Sequence, residues 1–309
     1  MMKTAGFIGT GNMGRALAKA VALKNNAVSN AEQEWNLLLS NRTPAKAEAL
    51  SRETGGEVTD NRTIAAYADY IFLGVKPQMM ADMLTEIAPV LKERAGGSDP
   101  DPGADSAAET AASAGAADRH RFILVTMAAG LTMERIAELA GGAYPVIRIM
   151  PNTPAAIGEG MILHSHNELV SDEEVTEFTS MLSAAGQLIA LPERLIDAGS
   201  AVSGCGPAFV YMFIEALADG GVACGLPRKD AYILAAQMAA GSARMVLQGA
   251  GAESAGSTSG FMHPGVLKDA VCSPGGTTIE GVRTLEEAGF RGAVMDAVIA
   301  AYEKNAALR

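Results

Sequence analysis

Gly9-Thr10-Gly11-Asn12-Met13-Gly14 limits what this chain can fold into more than any other stretch. Residues 4–8 before it are short and apolar, as a buried parallel strand requires. Residues 15–23 after it carry Ala and Leu at helical spacing. Strand, glycine turn and helix in that order open a dinucleotide-binding βαβ unit. Gly9 permits the tight turn, Gly11 lets the backbone approach a pyrophosphate, and Gly14 lets helix and strand pack closely. Thr10, Asn12 and Met13 complete a helix start that faces the phosphates with free N–H groups and a positive dipole end. Glycines also serve ordinary βα turns, so the flanks carry the argument.

The next strand, residues 35–40, ends in Asn41-Arg42-Thr43-Pro44, where an NAD enzyme usually places an acid on the ribose. A carboxylate would repel a 2′-phosphate, whereas Arg42 can bind one with charge-assisted hydrogen bonds. The expectation is NADPH. The alternative is a solvated Arg42 and a site that accepts NADH too. Asn61, after a short strand at 57–59, offers a further amide near the adenosine. Residues 70–75 read as another buried strand, leading into Val75-Lys76-Pro77 at the end that faces the ligand crevice. Lys76 either holds an anion near the nicotinamide or substrate, or is a solvent-facing strand-end lysine. Two more strands, 121–126 and 146–149, lead into Met127-Ala128-Ala129-Gly130 and Met150-Pro151-Asn152-Thr153-Pro154. The small Ala128 and Ala129 would let a nicotinamide ring lie against the backbone. Asn152 and Thr153 either close the crevice or cap a turn.

A chain of 309 residues suits two domains, and 49% hydrophobic residues supply a sizeable core. A net charge of −11 argues against nucleic acid and anionic membrane as partners, and requires any anion pocket to be locally positive. No apolar run reads as long enough to span a membrane, and the start is no secretory signal. Cys205, Cys224 and Cys272 give neither a disulfide framework nor a zinc pattern, which fits a reducing cytoplasm. The four histidines form no metal-ligand spacing, and His164 and His166 read as surface residues. Residues 95–118 are rich in Ala, Gly, Ser and Asp without hydrophobic period, so they read as an insertion away from the chemistry. Residues 249–260 read as a second loop, running directly into His263.

After residue 168 the texture becomes helical, with helices expected at 171–185, 206–224, 229–247, 277–288 and 292–307. From Pro207 onward they carry apolar or small residues around most of their circumference, so they must be buried. They offer each other too few surfaces, and two chains are expected to pack them together. The fold class is an α/β Rossmann-type domain (1–168) followed by an all-α domain (169–309). A self-contained helical bundle is the alternative to a dimer.

The whole chain resembles the pyrroline-5-carboxylate reductase family. The residues that carry this are Gly6-Phe7-Ile8-Gly9-x-Gly11-x-Met13-Gly14, Val75-Lys76-Pro77, Arg148-x-Met150-Pro151-Asn152-Thr153-Pro154 and Val202-Ser203-Gly204-x-Gly206-Pro207-Ala208. Gly225-Leu226-Pro227-Arg228 follows, then His263-Pro264-x-x-Leu267-Lys268-Asp269-x-Val271-x-Ser273-Pro274-Gly275-Gly276-x-Thr278-Ile279. The last motif is the most specific. Cys205 departs from the serine usual in the family, and the 249–262 stretch is unusually long and glycine-rich.

The resemblance implies a cyclic imine carboxylate as substrate and hydride delivery to its C=N carbon. It places the Thr278 hydroxyl on the ring nitrogen. Ser273 and the N–H groups of Gly275 and Gly276, at a helix start, then hold the carboxylate. It also implies interlocked dimers and rings of dimers. Two other readings remain. A β-hydroxyacid dehydrogenase or imine reductase would need a lysine or acid on the first long helix, and residues 206–219 offer only Glu215 and Asp219. A non-catalytic NADP-binding regulatory homologue would show erosion at residues 273–278, and none is visible.

Overall fold

The computed structural model describes residues 2–27, 35–96, 121–251 and 263–307. The 95–118 insertion (beyond Gly96) and the 249–260 loop (beyond Gly251) therefore lie outside the described residues. The chain divides into two compact units, Met1–Gly204 with Ala301–Arg309, and Cys205–Ala300.

The first unit is built on an eight-stranded sheet in the order β3-β2-β1-β4-β5-β6-β7-β8. Its strands are β1 (Lys3–Ile8), β2 (Trp35–Ser40), β3 (Glu57–Val58), β4 (Tyr70–Leu73), β5 (Ile123–Thr126), β6 (Val146–Met150), β7 (Gly160–His166) and β8 (Gly186–Ala190). The first six are parallel in the order of a dinucleotide-binding sheet. β7 turns back antiparallel to β6, and β8 pairs parallel to β7. The helices are α1 (Asn12–Ala27), α2 (Pro44–Thr54), α3 (Asn61–Tyr67), α4 (Met80–Ala95), α5 (Met133–Ala140), α6 (Asp172–Met181) and α7 (Glu193–Ser203).

β1 and β4 are buried over most of their length, and so they read as continuous apolar runs. One face buries Phe7, Phe72, Leu17 and Phe178, with Phe7 and Phe72 stacked at 4.3 Å between ring centroids. The other buries Ile8, Ile71, Leu84 and Ile136. α6 opens with the expected capping box of Ser171 and Glu174.

The boundary falls after Gly204, not at 168. β8 hydrogen-bonds to β7, and α7 is tied into the sheet by an ion pair, so both belong to the first unit. His164 also corrects its sequence reading as a surface residue. It is 4% exposed and packs edge-on against Phe178. Burial first, and His166 second, hold its pKa below the usual histidine value.

The ion pair is the most buried polar feature. Arg148 on β6 donates to Asp197 on α7 at 2.7 Å, and both side chains are 1% exposed. Glu193 lies 3.4 Å from the same guanidinium and also accepts from the Met133 N–H at the start of α5, at 2.7 Å. Asn305 donates to Asp197 at 3.3 Å. Nε of Arg148 has no hydrogen bond among the described residues.

The second unit contains α8 (Gly206–Ala223), α9 (Arg228–Gly251), α10 (Pro264–Val271), α11 (Thr277–Glu287) and most of α12 (Phe290–Ala306). Phe213 meets Phe290 at 5.9 Å between centroids, and Arg228 stacks over Tyr232. Among the described residues its buried apolar side chains are the small Ala218, Ala231 and Ala235. Tyr211, Met212, Ile233, Leu234, Met295 and Ile299 remain exposed on a single chain. That is the unpartnered apolar surface expected of helices awaiting a second chain. One expectation needs correction: the 31-residue stretch Glu193–Ala223 holds a window of 18 residues with mean hydropathy 1.4, long and apolar enough by length and composition to cross a bilayer. Only 11% of that window is buried. At its start stand Glu193 and the buried, paired Asp197.

Candidate functional site

In the first unit the glycine turn joins β1 to α1 and hydrogen-bonds to both neighbouring strands. The Gly9 N–H donates to the Ser40 carbonyl, and the Gly74 N–H donates to the Ile8 carbonyl, each at 2.8 Å. Gly9 has φ +97°, and a Cβ there would stand 2.7 Å from the Gly74 carbonyl. A Cβ on Gly14 would stand 2.3 Å from the Gly9 oxygen. Nothing lies within 4 Å of the place a Gly11 Cβ would occupy, so the turn is open there for a phosphate. Gly9 and Gly14 thus stand where any side chain would collide, and Gly11 where the backbone is open. Gly74 adds a fourth that the motif reading missed: a Cβ there would come 2.4 Å from the Gly9 oxygen. The small residue after β4 could have signalled it.

Beside the turn is a cavity of about 550 Å³. It brings together Gly9, Gly11, Asn41, Arg42, Thr43, Asn61 and Val75 from the sequence list, and adds Lys46, Met79, Asp82, Met83 and Glu86. Thr43 precedes α2 in extended conformation without a side-chain cap, and Pro44 stands at the first turn. Arg42, Lys46 and the dipole at the start of α2 give this end of the cavity a positive character. Lys46, four residues beyond Arg42 in the first turn of α2, was recognisable from that spacing. Arg42 leans toward α4, its Nη1 lying 3.9 Å from the Met79 sulfur.

Asn41 is a strut as well as a wall. Its Nδ2 donates to the Thr10 hydroxyl at 2.7 Å, and its Oδ1 accepts from the Thr43 N–H at 3.1 Å. Asn61 accepts from Ser40 at 2.7 Å and donates to Glu86 at 2.8 Å. Asp60 caps α3 by accepting from the Thr63 N–H at 2.7 Å, and that backbone bond holds its carboxyl below the usual range.

Thr10, Asn12, Met13 and Gly14 form the turn and helix start and do not line this cavity. Nor do Lys76, Pro77, Ala128 and Ala129. The strand before Lys76 stops at Leu73; Lys76 is exposed, precedes a short 3-10 turn at Pro77–Met79, and forms no ion pair among the described residues. Ala128 is 2% exposed in the core, and Ala129 packs against the Met150, Leu163 and Ile196 cluster. Their methyl groups therefore face protein, which departs from the picture of a bare surface for the nicotinamide. Asn152 is structural: it donates to the Ser203 carbonyl at 3.0 Å and accepts from the Met161 N–H at 3.0 Å.

In the second unit, Ser273-Pro274-Gly275-Gly276 makes a tight turn into α11. Gly275 has φ +67°, and the Gly276 N–H donates to the Ser273 carbonyl at 3.0 Å. Gly276 caps the helix without a side-chain bond, so the first N–H groups of α11 lack a side-chain cap. A Cβ on Gly276 would stand 2.3 Å from the Ser273 hydroxyl, so only glycine lets that hydroxyl lie over the helix start. Ser273, Gly275 and Thr278 are exposed, and Gly276 is half-buried. Upstream, the His263 ring caps α10 by accepting from the Gly265 N–H at 3.0 Å.

The family model for pyrroline-5-carboxylate reductase dimerisation matches residues 193–308, and that for NADP oxidoreductase coenzyme F420-dependent matches residues 4–95. The pyrroline-5-carboxylate reductase of Escherichia coli (strain K12) is 37% identical over 306 residues, covering 99% of this chain and 98% of that protein. The chain belongs to the pyrroline-5-carboxylate reductase family. The Pisum sativum reductase is 33% identical, covering 98% of this chain and 94% of its own length. Among solved structures, the Plasmodium falciparum pyrroline carboxylate reductase with NADP bound superposes with a TM-score of 0.76 at 29% identity. The comparison covers 100% of this chain and 99% of that one. The glycine turn and cationic helix start described above fit a phosphorylated dinucleotide in a member of this family.

Proposed function

We propose that this chain reduces L-1-pyrroline-5-carboxylate to L-proline, the last step of proline biosynthesis, with NADPH as hydride donor. Family membership gives the reaction. The observation that carries the chemistry in this chain is the start of α11, without a side-chain cap, with Ser273 over Gly276 and Thr278 in the first turn. A helix start with free N–H groups and its positive dipole end suits a carboxylate. Ser273, the Gly275 amide and the first N–H groups of α11 hold the substrate carboxylate, whereas the Gly276 N–H is taken by the Ser273 carbonyl. The Thr278 hydroxyl lies against the ring nitrogen and donates to the lone pair that forms there during hydride transfer. A donor there stabilises the nitrogen lone pair as hydride reaches the carbon of the protonated C=N.

NADPH supplies the hydride when bound. The open turn at Gly11 and the start of α1 hold its pyrophosphate, and Arg42 with Lys46 holds its 2′-phosphate. Lys76, free of ion pairs, adds positive charge at the end of β4. No side chain needs to act as a strong acid, because an iminium that arrives protonated needs only positioning.

Self-association through the helical unit accounts for Tyr211, Met212, Met295 and their apolar neighbours being exposed on one chain. We read the assembly as a dimer that further associates into a ring, and the 193–223 stretch as part of that interface instead of a membrane span. Cys205, Cys224 and Cys272 are all free, which suits a reducing cytoplasm.

The cofactor assignment has a direct test. Arg42→Ala should weaken NADPH binding by about ten- to hundredfold, the worth of a lost charge-assisted contact, and leave NADH nearly unchanged. Titrating the reduced cofactor by fluorescence measures both. Equal losses for the two cofactors would show that Arg42 does not hold the phosphate.

A further inference from the structure

The cofactor cavity is electrically two-sided, and the family reading uses only one side. Arg42 and Lys46 stand at the β2–α2 end, whereas Asp82 and Glu86 line the cavity from α4. Asp60 also lines it, but its carboxylate is spent on capping α3. Glu86 is the carboxylate whose orientation is fixed. Ser40, 7% exposed at the end of β2, donates to Asn61, and Asn61 donates to Oε2 of Glu86 at 2.8 Å. Oε1 of Glu86 has no hydrogen bond and the carboxylate has no cationic partner among the described residues.

We propose that Glu86 reads the base of the cofactor, accepting a hydrogen bond from the exocyclic amine of adenine. This rests on the NADPH reading above. The 2′-phosphate is drawn to Arg42, whose guanidinium lies beside Met79 at the start of α4. Glu86 lies two helical turns further along the same helix, about 10 Å away at 1.5 Å per residue. Met79 and Met83 line the cavity between the two charges and give the base an adaptable apolar wall. With the phosphate anchored at one end, the far edge of the base meets the carboxylate. A carboxylate only accepts, so it favours the amine of adenine and repels the carbonyl oxygen that hypoxanthine carries at the same position. Neither the glycine turn nor Arg42 distinguishes these bases.

The test compares NADPH with its hypoxanthine analogue, in which the amine is replaced by a carbonyl, by fluorescence titration of the whole protein without imine. The unsubstituted protein should bind NADPH roughly tenfold more tightly than the analogue, the worth of one such contact. Glu86→Gln keeps an oxygen for Asn61 and turns an N–H toward the base, so the preference should vanish or reverse. Asn61→Ala removes the brace and should narrow the preference without reversing it. Equal binding of the two cofactors by the unsubstituted protein would overturn the proposal. So would a Glu86→Gln protein that binds both more weakly at an unchanged ratio, because Glu86 would then only hold Asn61. Failure to bind NADPH at all would overturn the proposed function as well, which separates the two outcomes.

Discussion

Thr278→Val should lower kcat/KM for the imine by about a hundredfold or more, with NADPH affinity unchanged. Valine keeps the shape of threonine and removes the hydroxyl. Removing one donor aimed at charge developing in a transition state typically costs about 2.7–4 kcal/mol. That contact tightens as the ring nitrogen gains electrons, so the loss should fall on kcat as well as KM. Ser273→Ala should instead raise KM mainly, because a carboxylate contact serves substrate and transition state alike. Steady-state kinetics of both variants, with cofactor titrations alongside, distinguish the roles. An unchanged kcat/KM in Thr278→Val would remove that residue from the chemistry and leave Ser273 and the N–H groups at the start of α11 as the main device.

Asp197→Ala should cost about 3–5 kcal/mol of stability, because it leaves Arg148 buried beside only Glu193 at 3.4 Å. For a domain of this size that corresponds to a fall in Tm of roughly 6–20 °C. Asp197→Asn keeps an acceptor and should lose less. Arg148→Met combined with Asp197→Leu removes both charges and should recover much of the loss, since burying an ion pair already carries a desolvation penalty. Calorimetry of the four proteins gives the comparison. A double variant as unstable as Asp197→Ala would mean that the contribution lies in packing and not in charge.

The glycine turn was legible because its spacing is local: Gly9 takes a positive φ and Gly14 answers to the Gly9 carbonyl, although the backbone that crowds Gly9 comes from Gly74 after β4. β2 at Trp35–Ser40 was legible for a similar reason, its apolar run being flanked in sequence by polar residues. The second part of the first unit was not. β7 carries His164 and Ser165, which read as polar surface, yet both are buried because the strand is covered on both faces. β8 is short and mostly exposed, a weak signal in any sequence. α7 buries Asp197 and Ser200 where a helix usually buries apolar residues, and the partner that permits Asp197 stands 49 residues away on β6. No local pattern announces such a pair, so the extent of the first unit beyond residue 168 is not legible in the sequence. The cavity shows the same division. Arg42 followed from its place after β2, whereas Glu86 joins the cavity only through the Ser40 and Asn61 hydrogen bonds.

NADPH-driven reduction of a cyclic imine carboxylate is tested most directly by NADPH oxidation by the purified whole protein with L-1-pyrroline-5-carboxylate, with proline quantified in the same samples. Imine-dependent oxidation is expected, with one proline formed per NADPH consumed, nearly abolished in Thr278→Val. NADPH binding without any imine-dependent oxidation would contradict it, and would point instead to a regulatory protein that keeps the cofactor site.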